Sequence, residues 1–408
     1  LSYGNLTLYK VELHLLTPTI LSERVGKAGY STLSRAIPGS TLRGAILSML
    51  YREGINVQQE STSPTIAFSP AAPEGGVMAH AFTVECKLTK RRDDIGDVKE
   101  VFSLLRSMGI DVQSNPEILA SSSELERKYK EFMLKLEQEE HGLSALLKDA
   151  SGSYFKETPD GWTEVKPPVE TQVNVSISKT REAAEAERLW SYDAVSPGAK
   201  YKALIADLRG NLMKWLSKLG LDSKFEIGLG RGVSRGFGRA CVKLSTVDLS
   251  SMISSMKSLL LKQLEKGYAV LQALSPVAST TLGGMGLSSV PSLAPSDTLT
   301  VPSSWIVSAI TSLKAAFKLK TVAVYGKTML VKGYSSRSRR PRPWITALAP
   351  GSIMVLKPSE ESMKSREGLA EMLALSCLCG FNELSCIGLN FASPFEDKFP
   401  AWRREHDV

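Results

Sequence analysis

The sequence is poor in cysteine and histidine, with five of the first and four of the second among 408 residues. So sparse and odd a set of cysteines supplies no disulfide framework and fits a reducing cytoplasm. Aromatic residues make up 7% of the chain. No apolar run reaches the roughly 18 residues that a membrane-spanning helix needs, so no membrane partner is expected. The opening stretch, with Tyr3, Asn5, Thr7 and Tyr9, lacks the basic and then apolar segments of a secretory signal, and none is expected. With 43% hydrophobic and 23% charged residues, the chain can build two or three cores, and collagenous, coiled-coil and disordered classes are excluded.

Charge is the unusual quantity. Fifty basic against 42 acidic residues leave a net +8, and two stretches without any acid hold it. Between 321 and 344 stand Lys327, Lys332, Arg337, Arg339, Arg340 and Arg342; between 228 and 240 stand Arg231, Arg235 and Arg239. These nine charges exceed the net charge of the whole chain, so the remainder is close to neutral. By contrast, residues 87–148 mix 11 basic with 12 acidic residues. There ELERKYKEFMLKLEQEE sets Leu125, Tyr129, Phe132, Met133 and Leu136 on one helical face, which predicts a solvated amphipathic helix or helix pair. An acid-free basic segment suits a polyanion, because each Lys or Arg that neutralises a phosphate releases a counterion. Nucleic acid is the leading partner.

Periodicity gives the organisation. Tyr9 to Thr17 alternates Val11, Leu13 and Leu15 with Lys10, Glu12 and His14, a half-buried strand. Pro38-Gly39-Ser40 then punctuates the chain, with Ser40 as candidate N-cap of a helix to about Tyr51 whose Leu42, Ile46, Met49 and Leu50 face inward. SGSYFKETPDGWTEVKPP reads as a loop returning to the core. Strands are expected at 171–178, 189–195, 200–205 and 239–244, with a helix from about Asp207 to Leu219. A β-α-β-β-α-β order with an insertion at about 55–165 makes the fold α+β, with a ferredoxin-like (RRM-related) domain over 1–245. In the second half the strand-like GYAVLQAL at 267–274 precedes a Ser/Pro/Gly/Thr-rich loop over 275–303. A helix is then expected over 305–317, strands at 321–325 and 351–356 on either side of a basic loop, and a helix over 365–378 stopped by Gly380. That order makes 246–408 a second, degenerate copy of the same domain.

The segment IGLGRGVSRGFGRA brings together Gly228, Gly230, Gly232, Gly236 and Gly238. Glycine admits positive φ and close backbone approach, so such a loop can wrap a phosphate chain with its N–H groups and flanking arginines. Neither standard nucleotide motif fits. The third glycine place of a dinucleotide fingerprint falls on Val233, Arg235 or Cys241, and Gly326-Lys327-Thr328 has Thr321 where a Walker loop needs glycine. The following RACVKL also reads as strand rather than helix. The plain alternative is a glycine-rich turn, which one or two glycines would serve without three arginines of one sign.

An N-terminal strand, IPGSTLRGAI at 37–46 and the late IGLGRGVSRGFGRA together resemble the RAMP superfamily of CRISPR-associated proteins, whose ferredoxin-like domains carry a glycine-rich loop near their C-terminal end. VSISKTREAAEAERLWSYDAVSPGAKYKALI at 175–205 and RPRPWITALAPGSIMVL at 340–356 are similar to the large RAMP subunit of type III, subtype III-D, effectors. The resemblance implies a subunit that holds the 5′ repeat-derived handle of crRNA, the guide RNA, and docks beside the large polymerase-like catalytic subunit and the other RAMP backbone subunits. Target RNA would be met indirectly, and no cofactor is implied. Carried over, Gly228 to Gly238 with Arg231, Ser234, Arg235, Phe237 and Arg239 would cradle handle phosphates. Ser40 and Arg43 would sit at a helix start that favours anions; for Arg43 an intramolecular ion pair is the alternative. Lys179 and Arg181 follow a strand and suit either RNA or plain solvent. Lys327, Lys332, Arg337, Arg339, Arg340 and Arg342, with Trp344 for stacking, would make a second grip, although tryptophan is as readily core.

Two chemistries are not expected. ECK at 85–87 and HGLSALLKDA at 141–150 are similar to a stretch that relatives can accompany with a zinc-binding CxxC pair, yet here Cys86 and His141 stand alone. Cys377, Cys379 and Cys386 lie on an apolar helix and its exit, where buried cysteines are ordinary, so no metal is expected. The rival function is a RAMP endoribonuclease, and a backbone or capping position along the guide is a further alternative. RNA cleavage needs a positioned acid or base. His14 reads as facing outward from a strand, His80 as lying in a loop, and His141 and His406 as lying beside acids that immediate neighbours in sequence rarely engage. No acid occupies either basic stretch. The pattern favours binding.

Overall fold

The computed structural model describes residues 3–25, 29–32, 35–81, 83–86, 98–100, 147–159, 161–177, 184–278, 298–301, 317–335, 340–381, 385–386 and 388–396. The main elements in chain order are β1 (Thr7–Leu15), α1 (Gly39–Arg52), β2 (Ile66–Phe68), β3 (Val169–Ile177), β4 (Ala184–Val195), β5 (Lys200–Asp207), α2 (Asn211–Lys218), β6 (Lys224–Gly228) and β7 (Arg239–Thr246). They continue as α3 (Leu249–Glu265), β8 (Ala269–Ala273), β9 (Thr298–Val301), β10 (Phe317–Tyr325), β11 (Thr328–Ser335), β12 (Arg340–Leu348), β13 (Ile353–Pro358), α4 (Arg366–Cys379) and β14 (Ala392–Pro394). The chain is α+β, with antiparallel sheets.

The first sheet runs β6-β7-β1-β5-β2, and the second β9-β10-β13-β8-β14. Four strands of each share one arrangement: β7-β1-β5-β2 and β14-β8-β13-β10 both stand fourth, first, third, second in chain order. In both, the connection from second to third strand carries a two-stranded hairpin, β3 with β4 and β11 with β12.

The alternation of β1 explains the first core. Tyr9, Val11, Leu13 and Leu15 point to one side, where Leu42, Ile46 and Leu50 of α1 and Leu212 and Leu216 of α2 cover them. Each fully buried leucine contributes about 2 kcal/mol of transfer free energy. Asp207 closes β5, and its buried carboxylate accepts the N–H of Leu212 at 2.6 Å, anchoring the first turn of α2. On the opposite side Leu8, Ala67 and Ala206 join a second core with Ile253, Leu260 and Leu264 of α3 and Leu369, Leu373 and Cys377 of α4. Leu271, Leu319 and Leu356 of the second sheet belong to the same core, so α3 and α4 weld the two sheets together. From Leu369 to Cys379, α4 is almost wholly buried, as an all-round apolar helix must be. Its Ser376 hydroxyl is satisfied by the Met372 carbonyl at 2.9 Å.

Several expectations are corrected. Pro38, not Ser40, is the N-cap of α1, and no side chain caps it. The stretch read as a returning loop is a hairpin of Tyr154–Thr158 with Gly161–Glu164; its Pro-Asp-Gly is turn chemistry between strands. The second half does not begin at the expected strand: the long helix α3 precedes β8, capped by Asp248 accepting the Ser250 N–H at 3.0 Å. β9 interrupts the supposed loop over 275–303, and Phe317 opens a strand instead of ending a helix. The basic loop is the β11–β12 hairpin. The predicted helices over 87–148 and 305–316 lie for the most part, or wholly, outside the described residues.

Candidate nucleic-acid interface

The glycine cluster forms the connection between β6 and β7. Gly230, Gly232, Gly236 and Gly238 all have positive φ, between 71° and 90°, the region that L side chains avoid. Gly238 also lies so close to Leu229 that a Cβ would collide with the Leu229 carbonyl oxygen, while the Leu229 N–H donates to the Gly238 carbonyl at 2.7 Å. The loop is tied to the segment after β1: Arg231 N–H donates to the Ile20 carbonyl at 3.0 Å and Gly238 N–H to the Pro18 carbonyl at 2.9 Å. A short 3-10 turn, Val233–Arg235, forms the tip, and Phe237 packs against Gly232. Among the described residues, the N–H groups of Gly232, Val233 and Ser234 meet no acceptor. The loop is thus held at its base and open at its crown.

Arg231, Ser234 and Arg235 are exposed on this crown, and among the described residues Arg235 forms no ion pair. Arg239 is different. Its guanidinium donates to Glu226 Oε2 across the β6–β7 pair at 2.8 Å. No acid stands within this basic stretch, yet Glu226, just before it in sequence, is folded alongside.

Arg43 is committed to the protein. Its Nη2 donates to the Glu60 backbone carbonyl at 2.5 Å and lies 3.6 Å from the Glu60 carboxylate, which is 3% exposed. Glu60 in turn accepts from the Thr65 hydroxyl at 2.5 Å and the Thr65 N–H at 3.1 Å. Of the two readings of Arg43, the intramolecular pair is the one present. Ser40 is exposed in the first turn of α1, but that turn is not the free helix start expected, because the backbone of Gly388 lies against Gly39 and Ser40.

In the second basic stretch, Lys327 is exposed in the turn between β10 and β11. Lys332 stands opposite Trp344 in the β11–β12 register, and Arg340 and Arg342 lie on β12. Arg337 and Arg339, between these strands, lie outside the described residues, as do Lys179 and Arg181 between β3 and β4.

The remaining candidates fall as follows. His14 is exposed on the outer face of β1. His80 is not a surface residue: it is 1% exposed, its ring edge-on to Phe395 with centroids 5.2 Å apart. Cys377, Cys379 and Cys386 are buried and reduced, and burial pushes the Cys379 thiol up to about 12. Among the described residues no three His, Cys, Asp or Glu side chains gather as metal ligands, and no helix is long and apolar enough to cross a membrane. Sequence reasoning missed the facing lysines Lys224 and Lys243, on the two strands that the glycine loop connects. They become visible once the alternation of β6 and β7 is set in register.

Residues 12–242 match the family model described as the RAMP superfamily. No curated protein matches the chain in sequence. Among solved structures, a chain of the Type III-B Cmr-beta complex bound to cognate target RNA and AMPPnP is similar over 85% of this chain and 86% of its own, with 11% identity and a TM-score of 0.41. A CRISPR associated protein Cas6 is similar over 96% of this chain and 100% of its own, at 8% identity and a TM-score of 0.34. Cmr4 (Cas7) of Pyrococcus furiosus is similar over 59% of this chain and 100% of its own, at 13% identity and a TM-score of 0.24.

Proposed function

Since the chain belongs to the RAMP superfamily, we propose that it is a non-catalytic RNA-binding subunit of a type III CRISPR effector complex, of the III-D kind. In this reading it grips the 5′ repeat-derived handle of crRNA. It bridges the large polymerase-like subunit to the RAMP backbone subunits. Residues 1–245 and 246–408 are two ferredoxin-like domains, a reading supported by the strand order that both sheets share.

The observation that carries the reading is the glycine loop. Four positive-φ glycines fold the chain into a crown anchored to Pro18 and Ile20, with Arg231 and Arg235 exposed on it. Unmatched N–H groups beside exposed guanidinium groups form a phosphate cradle. The β11–β12 hairpin bearing Lys332, Arg340 and Arg342, with Lys327 in the turn that precedes it, supplies a second basic element, and Arg337, Arg339, Lys179 and Arg181 belong to the same proposal from sequence. Arg43 supports the fold through Glu60 instead.

The test is binding of a guide RNA with and without its 5′ repeat tag, together with co-purification of the chain with a large polymerase-like subunit. Preference for tagged RNA and recovery of the large subunit are expected. Equal affinity for both RNAs would remove the handle reading. Metal-dependent cutting of RNA by the isolated chain would replace it with a nuclease.

A further inference from the structure

The outer face of the first sheet has two unlike ends. At one end Leu8, Ala67 and Ala206 are buried beneath α3 and α4. At the other, next to the glycine loop, the face is open and charged. Strand register sets its side chains in rows. Glu226, Cys241, His14 and Lys200 stand opposite one another across β6, β7, β1 and β5, and the next row is Lys224, Lys243, Glu12 and Lys202.

We infer that this open end is a track for the sugar–phosphate backbone of single-stranded RNA, continuous with the glycine loop through Arg239, and that it reads no base. The inference rests on the RNA-binding reading above and extends it to residues outside both basic stretches.

The second row places Lys224 directly opposite Lys243, and like charges in a cross-strand pair oppose folding. Among the described residues, the acids on this face are fewer than its cations. Glu12 lies 3.1 Å from Lys10 and 3.7 Å from Lys243, and Glu74 lies 2.9 Å from Lys202. With Arg239 and its partner Glu226 included, six cations, at 10, 200, 202, 224, 239 and 243, thus share three carboxylates among the described residues, those of Glu12, Glu74 and Glu226. The hydrogen bond and charge of Lys10, then Lys243, hold the Glu12 carboxyl below its ordinary range, and Lys202 does the same for Glu74. Exposed pairs of this kind contribute little, so a lysine can exchange a carboxylate for a phosphate. Sequence readout on a sheet needs aromatic side chains for stacking. These rows hold one ring, the exposed His14, and no Phe, Tyr or Trp; stacking on a lone ring is sequence-tolerant, so phosphate neutralisation by the lysines is the main binding chemistry this face offers.

The experiment uses the full chain with Lys224→Ala and Lys243→Ala combined, titrated with tagged guide RNA and with polyuridine of equal length over a range of salt. Removing a like-charge pair should leave the urea midpoint no lower. The slope of log affinity against log salt should fall by about 1.4, at about 0.7 per phosphate contact, with the same fold-loss for both RNAs. Arg231→Ala with Arg235→Ala is the companion variant. If it weakens binding while the lysine variant leaves affinity and slope unchanged, the track is wrong and the loop reading stands. If neither variant has an effect, the RNA-binding reading itself fails. A loss confined to the tagged RNA would show base readout and overturn the inference. So would intact RNA binding with lost co-purification of a protein partner, which would mark the face as a protein contact.

Discussion

Gly388 lies with its backbone against Gly39 at the start of α1. A Cβ on Gly39 would stand 2.8 Å from the Cα of Gly388, and a Cβ on Gly388 would stand 2.5 Å from the backbone nitrogen of Ser40. A second contact of this kind joins Gly351 to Gly152, where an added Cβ would stand 2.6 Å from the Gly152 nitrogen. Both bring the C-terminal part of the chain onto the N-terminal part, backbone on backbone. Gly39→Ala is therefore expected to destabilise the protein by about 1–3 kcal/mol or more, since neither the Phe68 carbonyl nor Gly388 can yield without moving main chain. A drop in the urea midpoint measures it.

The glycines of the β6–β7 loop are not equivalent. A Cβ on Gly236 would meet open space, so Gly236→Ala costs only the positive-φ strain, about 1–2 kcal/mol. Gly238→Ala adds a collision with the Leu229 carbonyl and threatens the hydrogen bond to Pro18. It should lower both the urea midpoint and RNA affinity more than Gly236→Ala does. Equal effects would mean that the crown does not depend on the close approach at Gly238.

Arg43→Ala should act on stability and not on recognition. It leaves the Glu60 carboxylate, 3% exposed, without its cation. Breaking a buried pair in this way costs about 3–5 kcal/mol, with the lower end apt for an arginine that is 15% exposed. Chemical denaturation should show the loss, while RNA affinity of the folded variant stays at the wild-type value.

The buried thiols give a pH dependence. Burial, with the neighbouring Cys379 thiolate adding to it, pushes Cys377 well above its ordinary 9.0, and burial alone takes Cys379 to about 12. Above pH 9 the unfolded chain loses these protons while the folded chain keeps them. Stability is therefore full below about pH 9 and falls as the pH rises toward 12. In the native protein at pH 8 a thiol reagent should modify the half-buried Cys241 and leave Cys377 and Cys379 untouched until unfolding.

What could be read in advance follows physical locality. The period-two pattern of Val11, Leu13 and Leu15 and the helical spacing of Leu42, Ile46 and Leu50 are local signals, and both elements stand where those signals put them. α3 was hidden because serines at 250, 251, 254, 255 and 258 dilute a helical stripe formed by Ile253, Leu260 and Leu264. β12 was concealed by Pro341 and Pro343, which a two-stranded hairpin tolerates because its outer edges need no ladder partner. The pairing of Arg43 with Glu60 and the row through Lys224, Lys243, Glu12 and Lys202 depend on chain segments meeting in space, which no spacing rule reports.

The central claim, that the crown of the glycine loop neutralises RNA phosphates, is tested most directly by the salt dependence of tagged guide-RNA affinity in Arg231→Ala with Arg235→Ala. The loss of two phosphate contacts should lower the slope of log affinity against log salt by about 1.4 and weaken binding most at low salt. An unchanged slope and affinity in a folded variant would contradict the claim.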